Sequence, residues 1–240
     1  FYQDHWEIIT VRLLAAMVQD IRFQFRHGFY YAYAILTILY IIVLRLLPGT
    51  MVYPALTLIL FTDICTLGFF FIGAIVLLER GQNLTESLFI TPLRLHEYLL
   101  AKILSFLFLA TLSALLIMLG ASIGGKDLMW FVFGAVFSAL IYTLFGLIFA
   151  ARALHVNDYF VKSLGAGLLI SLPILAYVRL FDTPLFYLFP TRATLILLDV
   201  LGTDYALSEK LFSVASLLIW FLILGSWVYQ RFNKYVRHPA

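Results

Sequence analysis

Residues 51–78 read MVYPALTLILFTDICTLGFFFIGAIVLL, and residues 79–102 directly after them read ERGQNLTESLFITPLRLHEYLLAK. The first run exceeds the roughly 20 predominantly apolar residues needed to cross a bilayer core. The second is a polar island, and from residue 98 onward the chain turns apolar again. A short polar element hung between two runs built for lipid defines the architecture: helical hairpins crossing a membrane, with a shaped connection outside it.

Working outward, the whole chain has the same character. Of its 240 residues, 63% are hydrophobic and only 12% charged, and its mean hydropathy is +1.00. A soluble domain carries about 25% charged residues, so an all-α polytopic membrane protein is expected. Six stretches meet or approach the span length: Phe29–Leu47, Met51–Leu78, Tyr98–Gly124, Leu128–Ala151, Leu164–Phe181 and Leu211–Tyr229. The fifth is short and contains Pro173, a kink signal. The expectation is therefore one membrane domain over residues 1–240, with no separate soluble domain in any loop. The single cysteine, Cys65, falls inside the second span and excludes an internal disulfide.

Charge sets the orientation. With six spans both termini share a side, and on it fall Arg12, Arg22, Arg26, Arg80, Arg94, Lys102, Arg152, Lys162, Arg231, Lys234 and Arg237, eleven of the 16 basic residues. Lys and Arg accumulate on the cytoplasmic face. Both termini and the 79–97 loop are thus expected in the cytoplasm, with the chain in the cell's inner (plasma) membrane. The net charge of +3 needs no nucleic-acid partner, because these residues anchor the topology against an anionic leaflet.

Residues 1–27 place Trp6, Ile9, Leu13, Leu14, Met17, Ile21 and Phe25 at helical spacing, with Arg12, Gln19, Arg22 and Arg26 opposite. This describes an amphipathic helix lying in the cytoplasmic interface or packed on the domain's own spans. Gly28 marks the bend into the first span.

Within the island, Asn83 is a good N-cap and Glu86 stands three residues later, a capping-box variant. Leu84, Leu88 and Phe89 give the short helix an apolar side, and Thr91 before Pro92 stops it. About two turns of helix are expected across the cytoplasmic ends of spans two and three. An ordinary connection needs no such capped, half-apolar element; docking does.

Glu79, Thr85, Glu86, Leu88, Pro92, Tyr98, Leu99 and Lys102 form a pattern that resembles the membrane subunit of ABC-2 type exporters. The N-terminal amphipathic helix, the six spans and the semi-apolar loop before the last span extend that resemblance over essentially the whole chain. The compact form is similar to drug-export permeases, the fluoroquinolone type among them. Two positions depart from the family pattern: Leu84-Thr85-Glu86 stands for Thr-Leu-Glu, and Ala101 for the Gly that often precedes the lysine. The resemblance implies that Glu79, Asn83, Leu84, Thr85, Glu86, Leu88 and Pro92 belong to a coupling helix seated in a separate ATP-binding cassette ATPase subunit. It also implies a second permease subunit, identical or related. ATP and Mg²⁺ would be bound by the ATPase partner, with no cofactor in this chain.

The chain's own phosphate-loop candidate fails on inspection. Gly120–Asp127 nearly spells GxxxxGK[ST], but Asp127 replaces the Mg²⁺-binding hydroxyl, and the stretch follows a membrane helix rather than a strand. No catalytic or metal-binding constellation is present: HExxH, GxSxG and Cys/His pairs at metal spacing are all missing from the sequence. An enzyme is not expected.

Two further features stand out. Residues 182–210 are apolar but broken by Pro184, Pro190, Arg192 and Asp199, which suits a helix from about Pro190 dipping into the outer leaflet, or a flap over the outer mouth. Asp63 sits mid-span between Thr62 and Thr66, as a pathway or interface residue or as a hydrogen-bonded carboxyl serving packing. Phe70, Phe137 and Tyr142 are candidate lining residues of an apolar route. The expected function is the permease subunit of an ATP-driven exporter moving a drug-like or lipid-like substrate outward. The alternatives are a proton-coupled transporter using Asp63 and a non-transporting membrane scaffold.

Overall fold

The computed structural model of the chain describes residues 2–82, 95–125, 127–153 and 155–237, with side chains over 11–82, 96–125, 127–153 and 155–231. Every regular element among them is helical. They are α1 (Tyr2–Arg26), α2 (Phe29–Leu46), α3 (Gly49–Cys65), a π-helical stretch Thr66–Phe71, α4 (Ile72–Gly81), α5 (Leu95–Gly120), α6 (Leu128–Ala150), α7 (Val156–Ile170), α8 (Ile174–Tyr177), a 3₁₀ turn Pro184–Leu188, α9 (Pro190–Asp199) and α10 (Leu207–Arg237). Among the described residues, five helices are long and apolar enough to cross a membrane: Phe29–Leu46, the continuous Gly49–Gly81, His96–Gly120, Leu128–Ala150 and Leu207–Arg231. Gly28, at φ 82°, makes the turn from α1 into α2.

The fifth expected stretch does not form one helix. Pro173 supplies no N–H and its ring crowds the carbonyl four residues back, so α7 ends at Ile170 and only the short α8 follows. The two pieces still run alongside the middle of the Gly49–Gly81 helix. At one end, the Tyr159 hydroxyl donates to the Phe69 carbonyl; at the other, Tyr177 and Thr57 both donate to Asp199. Along the facing helix, residues 57 to 69 cover roughly 18 Å at 1.5 Å per residue.

α6 is the central helix, buried along most of its length. Backbone contacts bring it close to the π stretch: a Cβ at Gly146 would lie 2.3 Å from the Gly68 carbonyl oxygen, and one at Gly68 2.7 Å from the Thr143 nitrogen. Small residues permit such approach between membrane helices, where dispersion rather than the hydrophobic effect holds helices together. Tyr159 lies directly over Gly73, where any side chain would overlap its ring.

α9 fills the other side of α6. Thr191 meets Tyr142, Thr194 meets Ser138 and Leu197 meets Gly134, an antiparallel register advancing three or four residues per contact. Nearly all of α9 is buried. Its polar N-terminal residues are satisfied locally, Thr191 donating 2.6 Å to the Ile170 carbonyl. The approach to α9 is held by Trp220 of α10, whose Nε1 donates 3.0 Å to the Leu188 carbonyl.

Candidate functional site

The island's two flanks meet. Glu79, in the last turns of α4, and Lys102, two turns into α5, form an ion pair at 2.5 Å. Lys102 makes a second one with Asp20 of α1, also at 2.5 Å. All three are buried, Lys102 to 2% exposure and each carboxylate residue to 6%. Two carboxylates share one ammonium, and the remaining acceptor capacity is met by neutral donors. Tyr98 Oη donates to Glu79 Oε2 at 2.8 Å. Ser105 donates to Asp20, and Gln24 Nε2 lies 3.1 Å from Asp20 Oδ2 and 3.0 Å from Ser105 Oγ. Beside this cluster Arg80 Nη1 donates 3.0 Å to the Ala153 carbonyl, tying α4 to the chain after α6.

α1 reaches the cluster because Asp20 and Gln24 stand four residues apart on one helical row, and that row faces α5. Its opposite side is split: Val11, Leu14, Val18 and Phe25 are exposed along one edge, and Gln19, Arg22 and Arg26 along the other. Packing on the spans and an amphipathic outer face therefore coexist in one helix. The pairing of Asp20 with a lysine 82 residues away is invisible to periodicity. A sequence signal did exist in the polar pair Asp20 and Gln24 at i, i+4, within a helix whose other polar residues were accounted for.

Breaking such a cluster is expensive. Removing one partner of a buried ion pair costs about 3–5 kcal/mol because it strands the other charge. The base of the 79–102 segment is thus a rigid joint between α1, α4 and α5. Among the coupling residues expected from sequence, Glu79 is the one described and lies inside this joint. Asn83, Leu84, Thr85, Glu86, Leu88 and Pro92 lie outside the described residues.

Asp63 occupies a second polar site, midway along Gly49–Gly81. It is 2% exposed and accepts a 2.9 Å hydrogen bond from Ser113 Oγ of α5. Ser113 is in turn 3.3 Å from Thr37 Oγ1 of α2. Among the described residues Asp63 has no ion-pair partner. A charged carboxylate at the centre of a membrane helix costs about 2.5–3.5 kcal/mol on insertion scales.

The expected lining residues do not gather around it. Phe70 stacks on Phe160 of α7, ring centres 6.1 Å apart. Phe137 stacks on Phe133 at 4.2 Å and meets Phe221 of α10 edge-on. Tyr142 is buried between α6 and α9, its hydroxyl 2.9 Å from Thr191 Oγ1, with Phe61 packed edge-on against its ring. These three serve helix packing on different sides of the bundle.

A further buried acid, Asp199 at the end of α9, escaped the sequence reading except as an interruption. Thr57 and Tyr177 donate to its Oδ1 at 3.1 and 2.7 Å, and Tyr205 to its Oδ2 at 2.9 Å. Burial and the Asp199 carboxylate push the Tyr205 hydroxyl above the ordinary tyrosine range, so it stays a donor. Nearby, Lys210 pairs with Asp127 at 2.6 Å. Arg45 donates to the Gly120 carbonyl at 2.8 Å, a cation on the C-terminus of α5. The stretch that spells a near phosphate loop is therefore a helix end held by side chains. Among the described residues no three His, Cys, Asp or Glu side chains stand close enough to hold a metal.

Residues 11–239 match the model of the fluoroquinolones export permease protein family. This chain belongs to that family. Two curated relatives, both named fluoroquinolones export permease protein, come from Mycobacterium tuberculosis, strains CDC 1551 / Oshkosh and H37Rv. Each is 29% identical over 188 residues, covering 78% of this chain and 79% of the relative. Membership in an export permease family, together with helices fit to cross a bilayer, makes the chain a multi-pass membrane protein with a transport permease role. The joint at Glu79 and Lys102 and the Asp63 site are accordingly features of a permease.

Proposed function

We propose that this chain is the membrane subunit of an ATP-driven exporter, moving an amphipathic or hydrophobic substrate outward across the cell's inner membrane. A separate ATP-binding cassette ATPase would hydrolyse ATP and bind the accompanying Mg²⁺. It would dock on residues 83–94 through Leu84, Leu88 and the capped turn at Asn83–Glu86. A second permease subunit would complete the pathway, and both termini would lie in the cytoplasm with the docking loop.

The observation that carries this reading is the Lys102 joint. A loop rooted in a flexible connector would absorb a push from a partner. Here both roots of the loop are locked to each other and to α1 through buried ion pairs, so displacement of the loop moves three helices together. The names of the relatives make a fluoroquinolone the first substrate to test. Arginine accumulation on the loop side supports the orientation.

The test is purification of the chain from its native membrane, with identification of any ATPase that accompanies it and measurement of substrate-stimulated ATP hydrolysis. Leu88→Asp or Glu86→Lys should cut both co-purification and coupled hydrolysis severalfold or more. Intact assembly and coupling in both variants would sink the docking assignment. Transport that survives ATP depletion but collapses with the proton gradient would favour the proton-coupled alternative instead.

A further inference from the structure

The Asp63 site is built in a way that the coupling joint is not. At the joint, both carboxylates share Lys102. At Asp63, the donor among the described residues is the Ser113 hydroxyl, and the chain Thr37, Ser113, Asp63 ends on the carboxylate as acceptor. Tyr33 and Tyr40, on the same face of α2 as Thr37, lie within electrostatic reach of Asp63. One turn further toward the 79–102 end, Tyr33 meets Phe71 edge-on with ring centres 5.6 Å apart, and Phe71 meets Phe29 at 5.4 Å. The bundle thus holds an acceptor carboxylate and, eight residues further along the same helical run (roughly 12 Å at 1.5 Å per residue), an aromatic cluster.

We propose that Asp63 is the counter-charge for an amphipathic organic cation, and that it selects positively charged molecules among the substrates of this permease. The proposal rests on the exporter reading above and names its substrate class. A lone intramembrane carboxylate is stabilised by any cation that reaches it. The aromatic cluster further along the helix suits an organic ammonium, whose apolar body it can cover while the charge lies at Asp63. A hard divalent metal is a poor fit, since it calls for six or more oxygen ligands and the site offers one carboxylate and neutral hydroxyls.

Access runs past α2. This helix has only three buried residues, Tyr33, Thr37 and Leu44. It turns on Gly28 at φ 82° and is pinned by two polar contacts to α5, Thr37 to Ser113 and Arg45 to Gly120.

Efflux from intact cells making the full chain with its native partners tests this, using two dansyl probes of matched size. One ends in a dimethylammonium group and the other in a methyl ether. The wild type should export the cationic probe in preference to the neutral one. In Asp63→Asn the cation-to-neutral efflux ratio should fall about tenfold or more, the scale of a lost charge-assisted contact. In Asp63→Glu, which keeps the charge, the preference should persist. Should Asp63→Asn fail to reach the membrane, Ser113→Ala is read instead, with a ratio lowered severalfold. A wild type that exports both probes equally, or a ratio unmoved by either variant, overturns the proposal and leaves the exporter reading standing. ATP-independent efflux of both probes overturns the exporter reading itself.

Discussion

The two ends of this bundle hold buried acids by different means. At the loop end, Asp20 and Glu79 share one buried ammonium. At the far end, Asp199 is held by three neutral hydroxyls from Thr57, Tyr177 and Tyr205. Opposite charges at contact distance in a low-dielectric setting interact strongly and leave a large penalty when separated. Hydroxyl bonds are individually weaker and can be exchanged one at a time. The Lys102 contacts thereby hold α1, α4 and α5 as a unit, whereas the contacts of Asp199 can be exchanged singly.

The sharpest way to break the contrast is Lys102→Met. It strands two carboxylates, and a loss of about 3–5 kcal/mol is expected, read as thermal unfolding of the solubilised protein and as yield in the membrane. Adding Asp20→Asn and Glu79→Gln to that variant should restore most of the loss, since neutral replacements of a buried ionic group are often tolerated. Failure of this rescue would show that Lys102 acts by something other than charge balance. The matching change at the far end, Asp199→Ala, should cost less, about 1–3 kcal/mol from buried donors left without an acceptor. Equal losses at the two ends would erase the distinction.

Single hydroxyls refine it further. Tyr98→Phe removes one donor from Glu79, and Tyr205→Phe removes one from Asp199. Each is expected to lower stability by about 0.5–1.5 kcal/mol in the same assay. Cross-linked through a double-mutant cycle, Tyr98→Phe should couple to Lys102→Met, while Tyr205→Phe should not. The smallest effect belongs to the exposed pair Asp158 and Lys162, four residues apart on α7 with side chains 36% and 53% exposed. Asp158→Asn should shift stability by about 0.5 kcal/mol or less.

Much of this was legible in the chain. The apolar runs, the polar island, the bend at Gly28 and the break at Pro173 are local signals, and local backbone and hydropathy rules read them. Glu79 and Lys102 could be picked out as the island's limits. Their contact could not, and nor could the third member, because Asp20 lies 82 residues from Lys102 and nothing in its local spacing names that partner. The packing partners of Phe70, Phe137 and Tyr142 were out of reach for a related reason. Sequence marks aromatics inside a span but not which neighbour each one faces, and here those neighbours are α7, α10 and α9.

The sequence by itself determined that this protein is helical and lies in a membrane. Hydropathy and proline breaks such as Pro173 act over a few residues, so they survive without knowledge of the fold. Only the tertiary structure decided which buried charges are paired and which are not. Burial makes a charge's partner matter, and the partner is chosen by helix packing, across 82 positions of chain for Asp20 and Lys102 and 142 for Thr57 and Asp199.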